Sequence, residues 1–464
     1  MDIKIDLTNL FEPHLPSPHG LTRQDIEGLS GRLGEAFGKI SDMRQKGDLV
    51  FLDMPYKKEA VAQVNDFVAE RAGEFTDMLT IGIGGSALGS IAVFDALGHP
   101  YHNLRDVAHR ENKPRLFYLD NVDPDRLNAL LDILDIEKTL VNVISKSGST
   151  VETTANFLIL RKILIDRLGE KSYKRNLVLT TSLSKGEMRK IADAENIPSL
   201  SMPDNLGGRY SVLSTVGLLG AAFLGFDIEE FMAGARSMDR RFKEDDVWKN
   251  PVSLYAAAHY IADVKKSLNI FVLMPYSHAL RTISDWYAQL LAESLGKVTA
   301  DGEHVGPTPV KALGVTDQHS QLQAYVQGKI DKVITFLAVE KFKSNHRIPK
   351  AYAGYPSFEY LGGSDIADLF EAERRATELS LTKNNRPNCT IYLPQINPYA
   401  LGQLFYFFEA SVIVMGQLYG VNPLDQPGVE ESKEYAKGLM GLKGYEDKKR
   451  EVDAVTGKKR EYCL

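Results

Sequence analysis

Residues 140–164, LVNVISKSGSTVETTANFLILRKIL, change character twice. Leu140 to Ser145 is a short apolar run with two valines and an isoleucine, which suits a buried strand. Further on, Phe157, Leu160, Leu164 and Leu168 recur at the spacing of one helix face. Between these runs lie Ser145, Lys146, Ser147, Gly148, Ser149 and Thr150. Hydroxyl side chains and a glycine fill a core poorly, but they suit a backbone that wraps a charged group. Strand, polar loop and helix in that order form one unit of a parallel sheet covered by helices.

The unit recurs along the chain. Residues 78–83 read as a strand, followed by a glycine-rich turn and a helix over 86–97. Residues 115–119 and 176–181 read as further strands of this first series. A second series has strands at 270–274, 333–339 and 389–393 and a helix over 279–295. Asn397-Pro398 then opens a long helix, with Asn placed to cap it and Pro in its first turn. The predicted architecture is α/β with parallel sheets. It comprises an N-terminal, mostly helical arm (1–74), two tandem α/β units (75–225 and 226–441) that meet near 225–244, and a charged C-terminal tail (442–464). The tail reads as a solvated extension rather than an arm on a partner subunit.

Composition narrows the function. The chain has 464 residues, 44% of them hydrophobic and 25% charged, enough for large cores in two or three domains. A net charge of −6 argues against a nucleic-acid binder, which would carry a basic face. The two cysteines, Cys389 and Cys463, sit in a strand-like run and a polar tail, so no disulfide is expected and a reducing, cytoplasmic setting fits. The start, MDIKIDLTNLFEP, lacks the pattern of a signal peptide. The most apolar stretch, 401–420, contains Gln403, Glu409 and Gln417 and reads as a buried helix rather than a membrane span.

Several loops carry chemistry. TIGIGGSALGS (80–90) places Gly84, Gly85 and Ser86 between a strand and a helix. Backbone N–H groups there can close on an anion at a helix N-terminus. The spacing is neither the dinucleotide fingerprint nor a Walker loop, and a tight strand–helix turn explains it equally well. The 145–150 loop repeats the theme with Ser145, Ser147 and Thr150, although helix capping by Ser149 or Thr150 would account for part of it. Two hydroxyl-rich loops at strand ends of one sheet, neither strongly basic, point to one bound monophosphate. Arg209, in NLGGRYSVLSTVGLL (205–219), reads as a fixed positive charge aimed at that site. Glu293, His319, Gln426 and Lys433 lie in AESLGK, TDQHSQLQ and DQPGVEESK; read singly, each also fits a surface or structural role. The ten histidines are scattered, with no HExxH or CxxC pattern to hold a metal.

GIGGSALG, ISKSGSTVET, GGRYSVLSTVGLL, AESLGK, TDQHSQLQ and DQPGVEESK follow one another from Gly82 to Lys433. In this order the chain resembles the glucose-6-phosphate isomerase family, bacterial type. The resemblance implies two sugar-isomerase (SIS) α/β/α domains. It implies a homodimer in which His319 reaches the neighbouring subunit's site, a sugar-phosphate substrate, and no metal or redox cofactor. It implies reversible isomerisation of glucose 6-phosphate and fructose 6-phosphate, a step of glycolysis and gluconeogenesis. Carried over by motif, Gly85, Ser86, Ser145, Ser147 and Thr150 would bind phosphate, with Lys146 contributing mainly its backbone N–H. Glu293 would be the catalytic base, His319 the ring-opening histidine, Lys433 the lysine near the ring oxygen, Arg209 the arginine facing the reacting carbons and Gln426 a neighbouring polar contact. The chain departs from many relatives at Ala87 (Asp there) and Leu295 (Asn there), and from animal-type members at Ser147 and Gly148 (Thr and Phe there). Sugar-hydroxyl contacts are therefore not carried over. The alternatives are a non-enzymatic SIS-domain sugar-phosphate sensor, or a dual phosphoglucose/phosphomannose isomerase.

Overall fold

The structure, a computed structural model, describes residues 1–455 and 460–462. Cys463 lies outside the described residues. The chain divides into two compact units, Met1–Pro423 and Leu424–Leu464. The strands along the first unit are β1 (Lys4–Asp6), β2 (Asp77–Ile81), β3 (Arg115–Leu119), β4 (Thr139–Ile144), β5 (Leu177–Ser182), β6 (Ser199–Met202), β7 (Ile270–Pro275), β8 (Lys297–Val298), β9 (His304–Val305), β10 (Thr308–Lys311), β11 (Lys332–Lys341) and β12 (Asn388–Gln395).

The first sheet has the order β3-β2-β4-β5-β6 and is parallel throughout. Every residue of β2, β4 and β5 is buried, as expected for strands covered on both faces. Helix α1 (Leu88–Leu97) follows β2, and helix α2 (Val151–Leu168) follows β4. Phe157, Leu160 and Leu164 of α2 share a core with Leu79, Val141, Val143, Leu177 and Leu179. The chain runs outward from β2 to β3, then returns to place β4 on the other side of β2. The order therefore reverses between β2 and β4, and a crevice opens beyond the carboxyl ends of those two strands.

The second sheet has the order β1-β12-β11-β7-β10. Its strands are parallel except β1, which runs antiparallel to β12 with Ile5 opposite Ile391. This strand comes from the N-terminal segment, expected as a mostly helical arm. The segment is largely helical (Ser30–Gln45 and Lys58–Glu70 are its long helices), but its first strand covers the β12 edge. Such an edge would otherwise present unpaired backbone groups. A charge ties the same segment down. Asp239, fully buried, accepts from Arg44 Nη1 at 2.7 Å, Tyr56 OH at 2.6 Å, Lys243 Nζ at 2.6 Å and Tyr406 OH. These donors outweigh the cost of burial and hold its carboxyl down at about 2. Strands β6 and β10 were not legible: SLSM and TPVK are short and half polar.

Helix α3 (Thr215–Phe223) packs on α1. Helices α4 (Ile228–Phe242), α5 (Pro251–Lys266) and α6 (Arg281–Leu295) pack around the long helix α7 (Pro398–Tyr419). Asn397 caps α7 by accepting from Ala400 N at 2.8 Å, as expected. Among the described residues α7 is the one helix long and apolar enough to cross a membrane, yet 94% of that stretch is buried inside the protein. In the second unit the described tail residues are mostly exposed and largely helical. Helix α8 (Glu430–Leu439) packs on helix α9 (Glu446–Val455), with Tyr435 OH donating to Glu451 Oε2 at 2.9 Å.

One residue of α7 opposes the fold. Glu409 is fully buried, and neither carboxyl oxygen finds a hydrogen-bond partner among the described residues. Burial raises its carboxyl well above the ordinary 4.5. The folded state therefore keeps a proton that the unfolded chain releases as pH climbs past 4.5. Stability from this group is full below that value and declines above it. Glu409→Gln removes the titration. Its stability relative to the parent should rise as pH climbs above 4.5, with a slope of up to about 1.4 kcal/mol per pH unit until the folded carboxyl itself ionises. Urea unfolding at a series of pH values measures this, and a pH-independent difference would contradict it.

Candidate active site

The site is built from two turns that cross and a third at the neighbouring strand end. The first, Gly84–Ser86, is a 3₁₀ turn after β2; α1 starts only at Leu88, two residues later than expected. The second, Gly208–Tyr210, is also a 3₁₀ turn. They cross at backbone distance: a β-carbon on Gly85 would lie 2.1 Å from the carbonyl carbon of Gly208 and 2.4 Å from Arg209 N. Ser211 Oγ links them, donating toward Gly85 O at 3.1 Å and Gly208 O at 2.7 Å. Gly84 has φ of +56° and faces Gln289 Nε2. The glycines thus serve a backbone crossing, which neither sequence reading of this loop anticipated.

That crossing seats Arg209, which is 2% exposed. Its Nε donates to Ser294 Oγ at 2.7 Å, its Nη1 to Glu293 Oε2 at 3.1 Å, and its Nη2 to Pro423 O at 2.6 Å. Ser294 Oγ lies 2.8 Å from Tyr210 OH, which donates to Pro423 O at 3.1 Å. The donors form one consistent series: arginine to serine, serine to tyrosine, tyrosine to carbonyl. Burial pushes the Tyr210 hydroxyl up to about 12, so it stays a donor at neutral pH. The Tyr210 ring stacks on Phe51 at 4.3 Å, so the N-terminal segment buttresses the site.

Glu293 and Ser294 close α6. Ile283, Trp286, Leu290 and Leu291 anchor that helix in the core. Gln289, one turn before Glu293, donates Nε2 to Glu293 Oε1 at 2.8 Å. Each carboxyl oxygen of Glu293 therefore has a fixed donor, while its side chain keeps 30% exposure. Gln289, Ser294 and Tyr210 were missed as site residues. The i, i+4 spacing of Gln289 and Glu293 was the available signal.

The third turn follows β4 and lies, with Gly84–Ser86, at the sheet's switch point. Ser145 is buried, and its Oγ accepts from Gly148 N at 3.0 Å. Ser147 is exposed; its Oγ accepts from Ser149 N at 3.1 Å and lies 2.7 Å from Ser149 Oγ. Thr150 occupies the N-cap of α2 in an extended conformation but makes no side-chain capping bond. Helix capping therefore does not account for that hydroxyl. Gly148, with φ of +76°, packs against Met188 N. Lys146 Nζ donates to Leu206 O at 2.9 Å.

Within the first unit the structure brings Gly85 beside Arg209 and Arg209 onto Glu293, with Ser86 and the 145–150 loop at neighbouring strand ends. His319 is not joined to them. It ends the 3₁₀ turn Thr316–His319, is exposed, and makes no hydrogen bond with Glu293 or Arg209. Its neighbours hold the turn: Asp317 accepts from Leu313 N at 2.7 Å, and Gln318 Nε2 donates to Glu373 at 3.0 Å. Gln426 and Lys433 belong to the second unit. Gln426 precedes the 3₁₀ turn Pro427–Val429, and Lys433, on α8, pairs with Glu430 at 2.8 Å.

Comparison with known proteins supplies a family. The sequence pattern of the family described as phosphoglucose isomerase matches residues 56–457. The chain is 41% identical over 456 residues to the glucose-6-phosphate isomerase of Carboxydothermus hydrogenoformans, covering 97% of each chain. It is also 41% identical to that of Rubrobacter xylanophilus, covering 96% of this chain and 99% of the relative. Among solved structures, a hypothetical protein of Thermus thermophilus superposes with a TM-score of 0.84 at 33% identity, covering 95% of this chain and all of that one. The glucose-6-phosphate isomerase of Chlamydia trachomatis shares the fold, with a TM-score of 0.77 at 22% identity and coverage of 94% and 90%.

Gly85→Ala tests the crossing. Its methyl has no room unless the Arg209 backbone moves, and overpacking of this kind costs about 1–3 kcal/mol. The variant should melt several degrees lower and lose catalytic activity at least about 10-fold, because misplacing a site group by about 1 Å is that costly. Thermal unfolding and steady-state rates check both, and a wild-type rate would refute it.

Proposed function

The chain belongs to the phosphoglucose isomerase family and interconverts glucose 6-phosphate and fructose 6-phosphate, and we propose that Glu293 is the base that carries the proton between C2 and C1. Aldose–ketose interconversion requires an open-chain sugar and then a proton moved between adjacent carbons through a cis-enediol(ate). One base on one face can make both transfers. The observation that carries this reading is the Arg209–Glu293 pair at 3.1 Å, with Gln289 on the other carboxyl oxygen. It offers a carboxylate held from two sides beside a fixed cation. Arg209 would stabilise charge developing on the enediolate oxygens.

The 145–150 loop and Ser86 would take the 6-phosphate. The switch-point location, the uncapped Thr150 and the N-terminus of α2 support this. Phosphate held there positions C1 and C2 over Glu293, and binding energy remote from the reacting carbons lowers the barrier. Lys433 and His319 would handle protons at the ring oxygen and O1, imidazole being suited to transfer near neutral pH. Gln426 would be a neighbouring polar contact. The assembly in this reading is a homodimer in which the neighbouring subunit contributes His319. Its exposed position on a well-anchored turn supports that role. The division into sugar-isomerase-type halves, 75–225 and 226–441, is supported by the five parallel strands of the first sheet and the four parallel strands that the later half supplies to the second. The setting in this reading is cytoplasmic, and the buried free thiol of Cys389 fits a reducing compartment. The sensor reading is not favoured, since the residues for proton transfer are all present.

Glu293→Gln retains shape but cannot accept the proton. Turnover should fall by about 10²–10⁴-fold, the range typical of a lost general base. Exchange of the C2 hydrogen in D₂O should fall in parallel, while competitive-inhibitor affinity changes little. Persistent C2 exchange would move the base role to another carboxylate.

The shared site has its own test. Glu293→Gln and His319→Ala homodimers should each be inactive, yet mixing them under conditions of subunit exchange should restore activity, because one site of each hybrid has both groups intact. Proven exchange without recovery would mean that each pocket uses its own His319.

A further inference from the structure

Asp204 lies five residues before Arg209, outside the groups assigned above. Its Oδ1 accepts from Ser182 Oγ and from Ser184 N at 3.3 Å; its Oδ2 accepts from Ser184 Oγ at 2.6 Å. Ser182 Oγ in turn accepts from Lys185 N at 3.0 Å. One carboxylate thus folds up the loop after β5, which neighbours β4 in the sheet.

That loop presses on the 145–150 turn. Glu187 N donates to Ser147 O at 2.9 Å. Gly186 has φ of +90°, and a β-carbon there would lie 2.7 Å from Ser147 O. Thr181 Oγ1 donates to Ser145 O at 2.8 Å. From the other direction, Lys146 Nζ reaches Leu206 O, two residues after Asp204. Residues 204–209 are therefore tied to the 145–150 turn twice, once through Lys146 and once through the β5 loop. They end at the arginine that holds Glu293.

We propose that Asp204 is a positioning residue, which sets the register of the phosphate-gripping turn against Arg209 and Glu293. The inference rests on the phosphate reading of that turn. Asp204 touches neither the proposed base nor its arginine; it acts through Ser182 and Ser184. Those hydroxyls hold its carboxyl down at about 2, so the tie is charged throughout the working pH range. If the register slips, phosphate still binds, but C1 and C2 no longer meet Glu293. Misplacement of about 1 Å can cost up to about 10²-fold in rate.

The test separates grip from register. Inorganic phosphate carries no reacting carbons, so its inhibition constant reports the turn alone. Asp204→Ala should lower kcat on fructose 6-phosphate about 10-fold or more, with phosphate inhibition changed less than about threefold. Ser182→Ala/Ser184→Ala should reproduce this loss, and adding Asp204→Ala to it should cost little more, because all three act as one tie. Asp204→Asn, which can still accept one hydroxyl, should recover part of the rate. If Asp204→Ala fails to fold, the double serine variant carries the same test. A kcat within twofold of the parent in the variants that fold, or a loss that tracks phosphate affinity, would overturn the proposal. Ser147→Ala/Thr150→Ala is the control. Weakened phosphate inhibition there with an undiminished kcat in Asp204→Ala removes the positioning role alone. Unchanged phosphate inhibition in the control removes the phosphate reading, and the positioning role with it.

Discussion

A guanidinium taken out of water must find acceptors, and that requirement organises this site. Arg209 is buried and directs its three nitrogens at a serine hydroxyl, a carboxylate and a backbone carbonyl. Those partners come from α6 and from Pro423, far apart in the chain. Leaving a buried charge uncompensated would cost several kcal/mol, of the order seen when one partner of a buried ion pair is removed. The arginine therefore fixes where the end of α6 lies relative to the first sheet, and with it the orientation of Glu293. The same geometry that satisfies Arg209 leaves the Glu293 carboxylate partly exposed.

The surrounding structure is arranged so that this charge can be buried at all. Two glycine turns cross with no room for a side chain between them, which brings the Arg209 backbone against the end of β2. Tyr210 and Ser294 complete the acceptor series, and Phe51 closes over the tyrosine ring. Asp239 repeats the theme away from the site, where a buried carboxylate gathers Arg44, Tyr56, Lys243 and Tyr406 and thereby secures the N-terminal segment. Glu409 shows the contrast. With no partner among the described residues it is held neutral by burial, so charge persists in this interior where donors surround it.

Much of this was legible in advance because buried parallel strands and amphipathic helices write themselves as local patterns. The runs that became β2, β4, β5, β7, β11 and β12 are almost wholly buried, and hydrophobicity alone marks them. Asn397-Pro398 announced α7 because capping is a contact within four residues. Ser147, Thr150, Arg209 and Glu293 stood out through residue type and family motif. The strands that escaped notice are those whose stability comes from a neighbour. TPVK and SLSM are weak strand formers held by the sheet beside them, and β1 exists because β12 has an open edge.

Sequence by itself thus determined the α/β class, the principal strands and helices and the family, and it named the residues proposed for proton transfer and phosphate binding. Each depends on short-range pattern or on the order of motifs. Tertiary structure decided what those residues do for one another. It set Arg209 against the Glu293 oxygen that Gln289 leaves free, packed Gly85 against the backbone of Gly208 and Arg209, and tied Asp204 through Ser182 and Ser184 to the loop that meets Ser147. These are contacts between segments tens to more than a hundred residues apart. No local periodicity encodes them, because they arise only when burial forces each charged or polar group to find its partner in space.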